Sequence, residues 1–173
     1  MKLIGLDPGL RRTGWGVIEV TGNALVHVAN GTVESEASAP LARRLEEIFT
    51  GLMAVLAAHR PKSAAVEETF VNRNPSSTLK LGMARGVVLL APARAGLAVA
   101  EYSANQIKKS VVGSGHATKD QIAMMVTTLL PRAEISGHDA ADALAVAICH
   151  AHMSMTATRI AAGRTDAVAG RFG

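Results

Sequence analysis

Four carboxylates carry the chemistry this sequence is capable of: Asp7, Glu67, Asp139 and Asp142. Asp7 closes an apolar run from Met1 to Leu6 ahead of a Pro8-Gly9 turn signal, and Glu67 closes a second run, Ser63 to Val66, that follows a break at Pro61. Asp139 and Asp142 stand three apart in an alanine-rich helical stretch, so they share one helix face. Singly, each has an ordinary explanation: Asp7 opens a turn, Glu67 beside Glu68 ends an exposed strand, and Asp139 caps or complements a helix N-terminus. Asp142 resists that reading, because its aliphatic neighbours predict a largely buried helix and aspartate is seldom buried unpaired. Jointly the four need a cation, since two like charges about 4 Å apart repel by about 4 kcal/mol at an effective dielectric of 20. An oxygen-only donor set without paired Cys or His spacing points to Mg2+ or Mn2+ rather than zinc. A pair of such ions activates water and stabilises the leaving oxygen of a phosphodiester, so the pattern is that of a metal-dependent nuclease.

These side chains require rigid carriers. The first run reads as a buried strand holding Asp7 at its C-terminal edge, and Ser63 to Glu67 as another; neighbouring strand ends are where ligand sites are built in parallel or mixed sheets. Gly14 to Val20 and Asn23 to Glu34, separated by Gly22-Asn23, predict two more strands in an N-terminal meander. Leu41, Leu45, Ile48, Leu52, Val55 and Leu56 recur at helical spacing between Pro40 and a stop at Pro61. Asn74-Pro75 opens a long helix through Leu79, Met83, Val87 and Leu90, and Leu97 to Tyr102 supplies a fifth strand. This alternation predicts an α/β domain.

Five segments, in order, resemble the RuvC family of Holliday junction resolvases. They are Gly5-Leu6-Asp7-Pro8-Gly9 with Thr13-Gly14-Trp15-Gly16-Val17; Val66-Glu67 with Phe70; Leu79 to Gly86; Gln106-Ile107-Lys108 with Val111-Val112-Gly113; and Asp139-Ala140-Ala141-Asp142-Ala143-Leu144-Ala145. The resemblance covers the chain up to about Met155. It implies an RNase H-like fold, a five-stranded mixed sheet flanked by helices, in a homodimer that cuts two opposed strands of a four-way junction in recombination and repair. Position by position, Asp7, Glu67, Asp139 and Asp142 match the family's metal-binding and catalytic acids, and two ions per active site are expected. Some relatives carry histidine where this chain has Asp139; the adjacent His138 is then a spectator or an outer partner of Asp142. The resemblance also implies a complex with a branch-migration motor.

Thr69-Phe70-Val71-Asn72-Arg73-Asn74 places an aromatic and a cation directly after Glu67, in a chain with 3% aromatic residues. A stacked base is worth about 1–3 kcal/mol to such a side chain, so Phe70 and Arg73 are expected to bind DNA; the competing role for Phe70 is to plug the core. Lys108 follows a Ser103 cap, and Lys119 follows the break Gly113-Ser114-Gly115. Both match family lysines near the cleaved phosphate and are expected to offset charge there. Gly113 to Lys119 lacks the spacing of a Walker loop. Cys149 reads as packing, and His150 and His152 as surface or cap histidines. Gly82 and Gly86 would admit close approach to the long helix, either within the chain or from a second copy.

The outer bounds agree. A length of 173 residues with 49% hydrophobic content suits one domain with a sizeable core. A net charge of +4 and a pI near 9.6 favour an acidic partner. The single cysteine excludes an intrachain disulfide, and with neither a secretory signal nor a membrane-length apolar stretch the expectation is a cytoplasmic protein. The nuclease domain is expected over 1–155, with 156–173, bearing Arg159, Arg164 and Arg171, a basic disordered tail. An actin-like ATPase needs two copies of the fold and more chain than this, and a dead binding module would be expected to have lost acids. An RNA–DNA hybrid nuclease of the same fold is the alternative.

Overall fold

The computed structural model describes residues 1–68 and 74–169, with side chains described through Thr156. Strands β1 (Lys2–Asp7), β2 (Arg12–Thr21) and β3 (Ala24–Glu34) form the antiparallel meander. Gly22, at φ 60°, supplies the left-handed residue that the two-residue turn between β2 and β3 requires. Helix α1 (Leu41–His59) leads to β4 (Ser63–Glu67), which pairs parallel with β1. Helix α2 (Pro75–Arg94) leads to β5 (Ala98–Tyr102), parallel to β4, giving one mixed sheet of five strands in the order β3-β2-β1-β4-β5. Three helices complete the order: α3 (Ala104–Val112), α4 (Lys119–Leu129) and α5 (His138–Ala169).

Strand alternation divides the core in two. Ile4, Leu6, Val17, Ala64 and Val66 face Ile48, Leu52 and Leu56 of α1 and Ala84, Val88 and Ala91 of α2. Leu3, Ile18 and Ala65 face the opposite layer, where Leu144, Ile148 and Cys149 of α5 pack with Ile107, Val111, Ile122 and Val126 of α3 and α4. With helices on both sides, β1 and β4 bury both faces, which is why they read as unbroken apolar runs.

The helix starts follow local chemistry. Asn74 Oδ1 accepts from the backbone N–H groups of Ser76 and Ser77, with Pro75 in the first turn of α2. Ser103 with Gln106, and Thr118 with Gln121, form reciprocal capping boxes for α3 and α4. Gly82 and Gly86 have open space where a Cβ would stand, so neither serves close packing within the chain. Leu79, Met83 and Leu90 are exposed along the same helix.

Helix α5 continues through Thr156 to Ala169. One expectation at the C-terminal end changes. His150, expected near the surface, is buried: its ring nitrogens meet Ser63 Oγ and the Tyr102 hydroxyl, each at 2.9 Å. The continuing helix keeps His150 inside the packed stretch instead of at an end. His152 is half-buried against Ser110, and Cys149 is fully buried, where burial pushes its thiol pKa up. Among the described residues no helix is long and apolar enough to cross a membrane.

Candidate active site

The site begins at two parallel strand ends. Leu6 lies opposite Val66 in the β1–β4 register, so Asp7 and Glu67 leave the sheet side by side at the C-terminal edge. Alternation puts Asp7 on the face of Leu3 and Gly5, and Glu67 on the face of Ser63 and Ala65. That face is covered by α5. The turn after Asp7 is closed by Thr13, fully buried, whose Oγ1 donates to the Gly9 carbonyl at 2.8 Å.

Glycines in β1 and β2 let α5 lie directly on the strands. A Cβ at Gly5 would overlap the Ala143 carbonyl oxygen and the Ala147 nitrogen, and one at Gly14 would overlap the Asp139 carbonyl oxygen. One at Gly16 would stand 2.7 Å from Leu144 Cδ2 and 2.9 Å from its nitrogen. Glycine within a strand marks such close approach. Gly14 is also the register partner of Asp7, so the first turns of α5 arrive beside the end of β1 and bring Asp139 and Asp142 with them.

Electrostatics report the convergence. The Asp7 carboxyl is pushed up to about 8 by burial first, then by Glu67, Asp142 and Asp139, with Lys119 pulling the other way. Glu67 is raised by burial and by Asp142, opposed by Lys119 and Lys108. Asp142 is raised by burial and Asp139, against Lys119 and the exposed His138. Four acids in mutual repulsion, with two cations at their margin, form a site short of positive charge.

A cavity of about 400 Å³ opens over this edge, lined among others by Asp7, Glu67, Glu68, Asp142, Lys108 and Lys119. Lys119 Nζ stands 3.8 Å from Asp142 Oδ2. Lys119 is the first residue of α4, where a cation opposes the helix dipole, so its place there is not explained by helix stability. Asp139 is not among the residues lining this cavity, and its charge is felt by Asp7 and Asp142. Glu68 was missed by sequence reasoning, although its adjacency to Glu67 was the available signal. Phe70 and Arg73 lie outside the described residues.

The residues suit a hard divalent cation. All donors are carboxylate oxygens, and the raised Asp7 would be protonated near neutral pH unless added positive charge held it ionised. Among the described residues, no three acidic, His or Cys side chains stand close enough together to hold an ion.

Comparison with known proteins agrees with this geometry. A family model described as Crossover junction endodeoxyribonuclease RuvC matches residues 3–150. The Crossover junction endodeoxyribonuclease RuvC of Rhodospirillum rubrum is 62% identical over 164 residues, covering 95% of this chain and 97% of its own. That of Azorhizobium caulinodans is 64% identical over 152 residues, covering 88% and 90%. Among solved structures, Thermus thermophilus RuvC in complex with Holliday junction substrate superposes with a TM-score of 0.85 at 35% identity, covering 91% of this chain and 97% of that one.

Proposed function

The chain belongs to the RuvC family of crossover junction endodeoxyribonucleases, and on that premise we propose that it resolves Holliday junctions by cutting two opposed strands, with Asp7, Glu67, Asp139 and Asp142 as its catalytic acids. The fold is RNase H-like and the enzyme is a metal-dependent nuclease. The observation that carries the assignment of residues is the convergence of two parallel strand ends and the start of α5 on one acidic edge.

The four carboxylates would hold Mg2+, with Mn2+ able to replace it. Bound in pairs, such ions lower the pKa of water and stabilise the leaving oxygen at a phosphodiester. Burial makes the charges of Asp7, Glu67 and Asp142 costly, so without a cation these carboxyls hold protons more tightly than usual, and a bound metal ion would compete with those protons. Lys108 and Lys119, on the cavity wall, place positive charge where a phosphate would enter and offset charge that develops in the transition state. Phe70 and Arg73 follow Glu67 in sequence and are assigned to the DNA near the crossover.

A second copy would meet the exposed stripe of α2, where Leu79, Met83 and Leu90 accompany the open positions Gly82 and Gly86. Symmetric cutting requires such a pair of active sites. The basic segment from Thr156 to Gly173 is assigned to DNA contact, and a branch-migration motor is the expected partner in the cytoplasm. The test is a four-way junction bound in EDTA and then supplied with Mg2+. Cutting that begins on addition of the metal, and is lost in Asp142→Asn with binding retained, supports the reading; an active Asp142→Asn refutes the assignment.

A further inference from the structure

We propose that Asn30 is a positioning residue of this active site: it ties the segment entering α5 to β3 and thereby sets where Asp139 stands. The inference rests on the assignment of Asp139 as a metal ligand. The Asn30 amide is fully used. Its Oδ1 accepts from the Ser136 N–H at 2.9 Å and from Ser136 Oγ at 2.8 Å. Its Nδ2 donates to the Glu134 carbonyl at 2.8 Å and meets His27 Nε2 at 2.8 Å. More than a hundred residues of chain separate Asn30 from Glu134 and Ser136, so one side chain joins distant parts of the fold.

A bulge makes this possible. Residues three apart on a strand normally project to opposite faces. In β3, Ile18 pairs with His27 and Val17 with Ala29, so Val28 is the extra residue. Asn30 pairs with Gly16, two positions from Ile18, and His27 and Asn30 therefore share the face that α5 covers. His27 supplies an acceptor that orients the amide, which in turn presents its oxygen to Ser136.

From Ser136 the path to the site is short. Gly137 takes φ 141°, a conformation open to glycine and strained for other residues, and its carbonyl accepts from Ala141 N–H in the first turn of α5. Asp139 follows two residues later, its carbonyl resting over Gly14. The body of α5 is held separately, by Leu144, Ile148 and Cys149 in the core. Ala140 on the same turn is buried, so loss of the Asn30 bonds loosens the entering segment and the half-buried Asp139 that follows it without releasing the helix.

The experiment measures Mn2+ binding to the full-length protein by calorimetry without DNA, together with kcat and KM on a four-way junction and the Tm in EDTA. Asn30→Ala is expected to weaken Mn2+ binding roughly 10-fold, the low end of what removing an outer partner of a metal ligand costs, and to lower kcat with KM unchanged. Asn30→Asp keeps the acceptor for Ser136 but sets a carboxylate oxygen against the Glu134 carbonyl, so it too is expected to weaken Mn2+ binding, and it serves if the alanine variant fails to fold. Ile48→Val, in the opposite core layer, should lower Tm and leave metal binding alone. Wild-type Mn2+ affinity and kcat in the Asn30 variants, or an equal loss of affinity in Ile48→Val, would overturn the proposal. Asp139→Asn separates the two readings. If it leaves Mn2+ affinity unchanged, the assignment of Asp139 fails; if it weakens binding while the Asn30 variants do not, the positioning role alone fails.

Discussion

Gly14 lies directly beneath the first turn of α5, so close that a Cβ on it would overlap the carbonyl oxygen of Asp139. Because Gly14 also pairs with Asp7, one residue sets the separation between the strand-borne acid and the helix-borne acids. Gly14→Ala would push α5 outward against a packed layer. Overpacking of this kind costs about 1–3 kcal/mol, so the expected outcome is a lowered Tm together with a large loss of cleavage. Wild-type activity in that variant would mean that the acids tolerate a displaced helix.

Asp7 makes the metal-free protein sensitive to base. Its folded pKa, about 8, lies above the ordinary 3.8, so between these values the folded state holds a proton that the unfolded state has released. Stability in EDTA should therefore fall as pH rises through that window, and Glu67 and Asp142, also raised, act with the same sign. Asp7→Asn should flatten the decline, and Mg2+ should oppose it in the unaltered protein. Tm measured across the window, with and without metal, checks this; a flat profile in EDTA would contradict it.

Lys119 is 85% exposed although it stands 3.8 Å from Asp142. So exposed an ion pair adds little to stability. Lys119→Ala is expected to leave Tm where it is and to slow cleavage by roughly 10²-fold, the scale of removing one preorganised charge-stabilising group. Single-turnover rates at saturating enzyme test this, and an unchanged rate would return Lys119 to the solvated surface.

His150 belongs to the frame instead of the chemistry. Its bonds to Ser63 and Tyr102 tie α5 to β4 and β5 in a buried setting, where burial also holds its pKa down. His150→Leu leaves both hydroxyls without that partner and should cost about 1–3 kcal/mol in unfolding experiments. Cleavage at low temperature should persist. A folded but inactive variant would place His150 closer to the reaction than its location indicates.

The strands and their acids could be read from the chain because alternation, turn residues and run length are local properties. Asp7 before Pro8-Gly9 and Glu67 after Val66 were visible in that way, as were the caps at Ser103 and Asn74. What could not be read is nonlocal. Gly5, Gly14 and Gly16 were present in the motif, yet nothing in them says which element descends on the strands. The bulge at Val28 depends on pairing with β2, so strand periodicity alone misdirects His27 and Asn30. His150 reads as a surface or cap histidine from its neighbours in sequence, and only the packing of α5 on β4 and β5 puts it inside.

Cleavage of a synthetic four-way junction, compared with linear duplex and RNA–DNA hybrid, in Mg2+ or EDTA, by the unaltered protein and by Asp7→Asn, tests the central claim most directly. The account predicts paired, symmetric nicks on the junction alone, dependent on Mg2+ and abolished by the substitution. Cleavage of the hybrid in preference to the junction, or junction cutting that survives in Asp7→Asn, would contradict it.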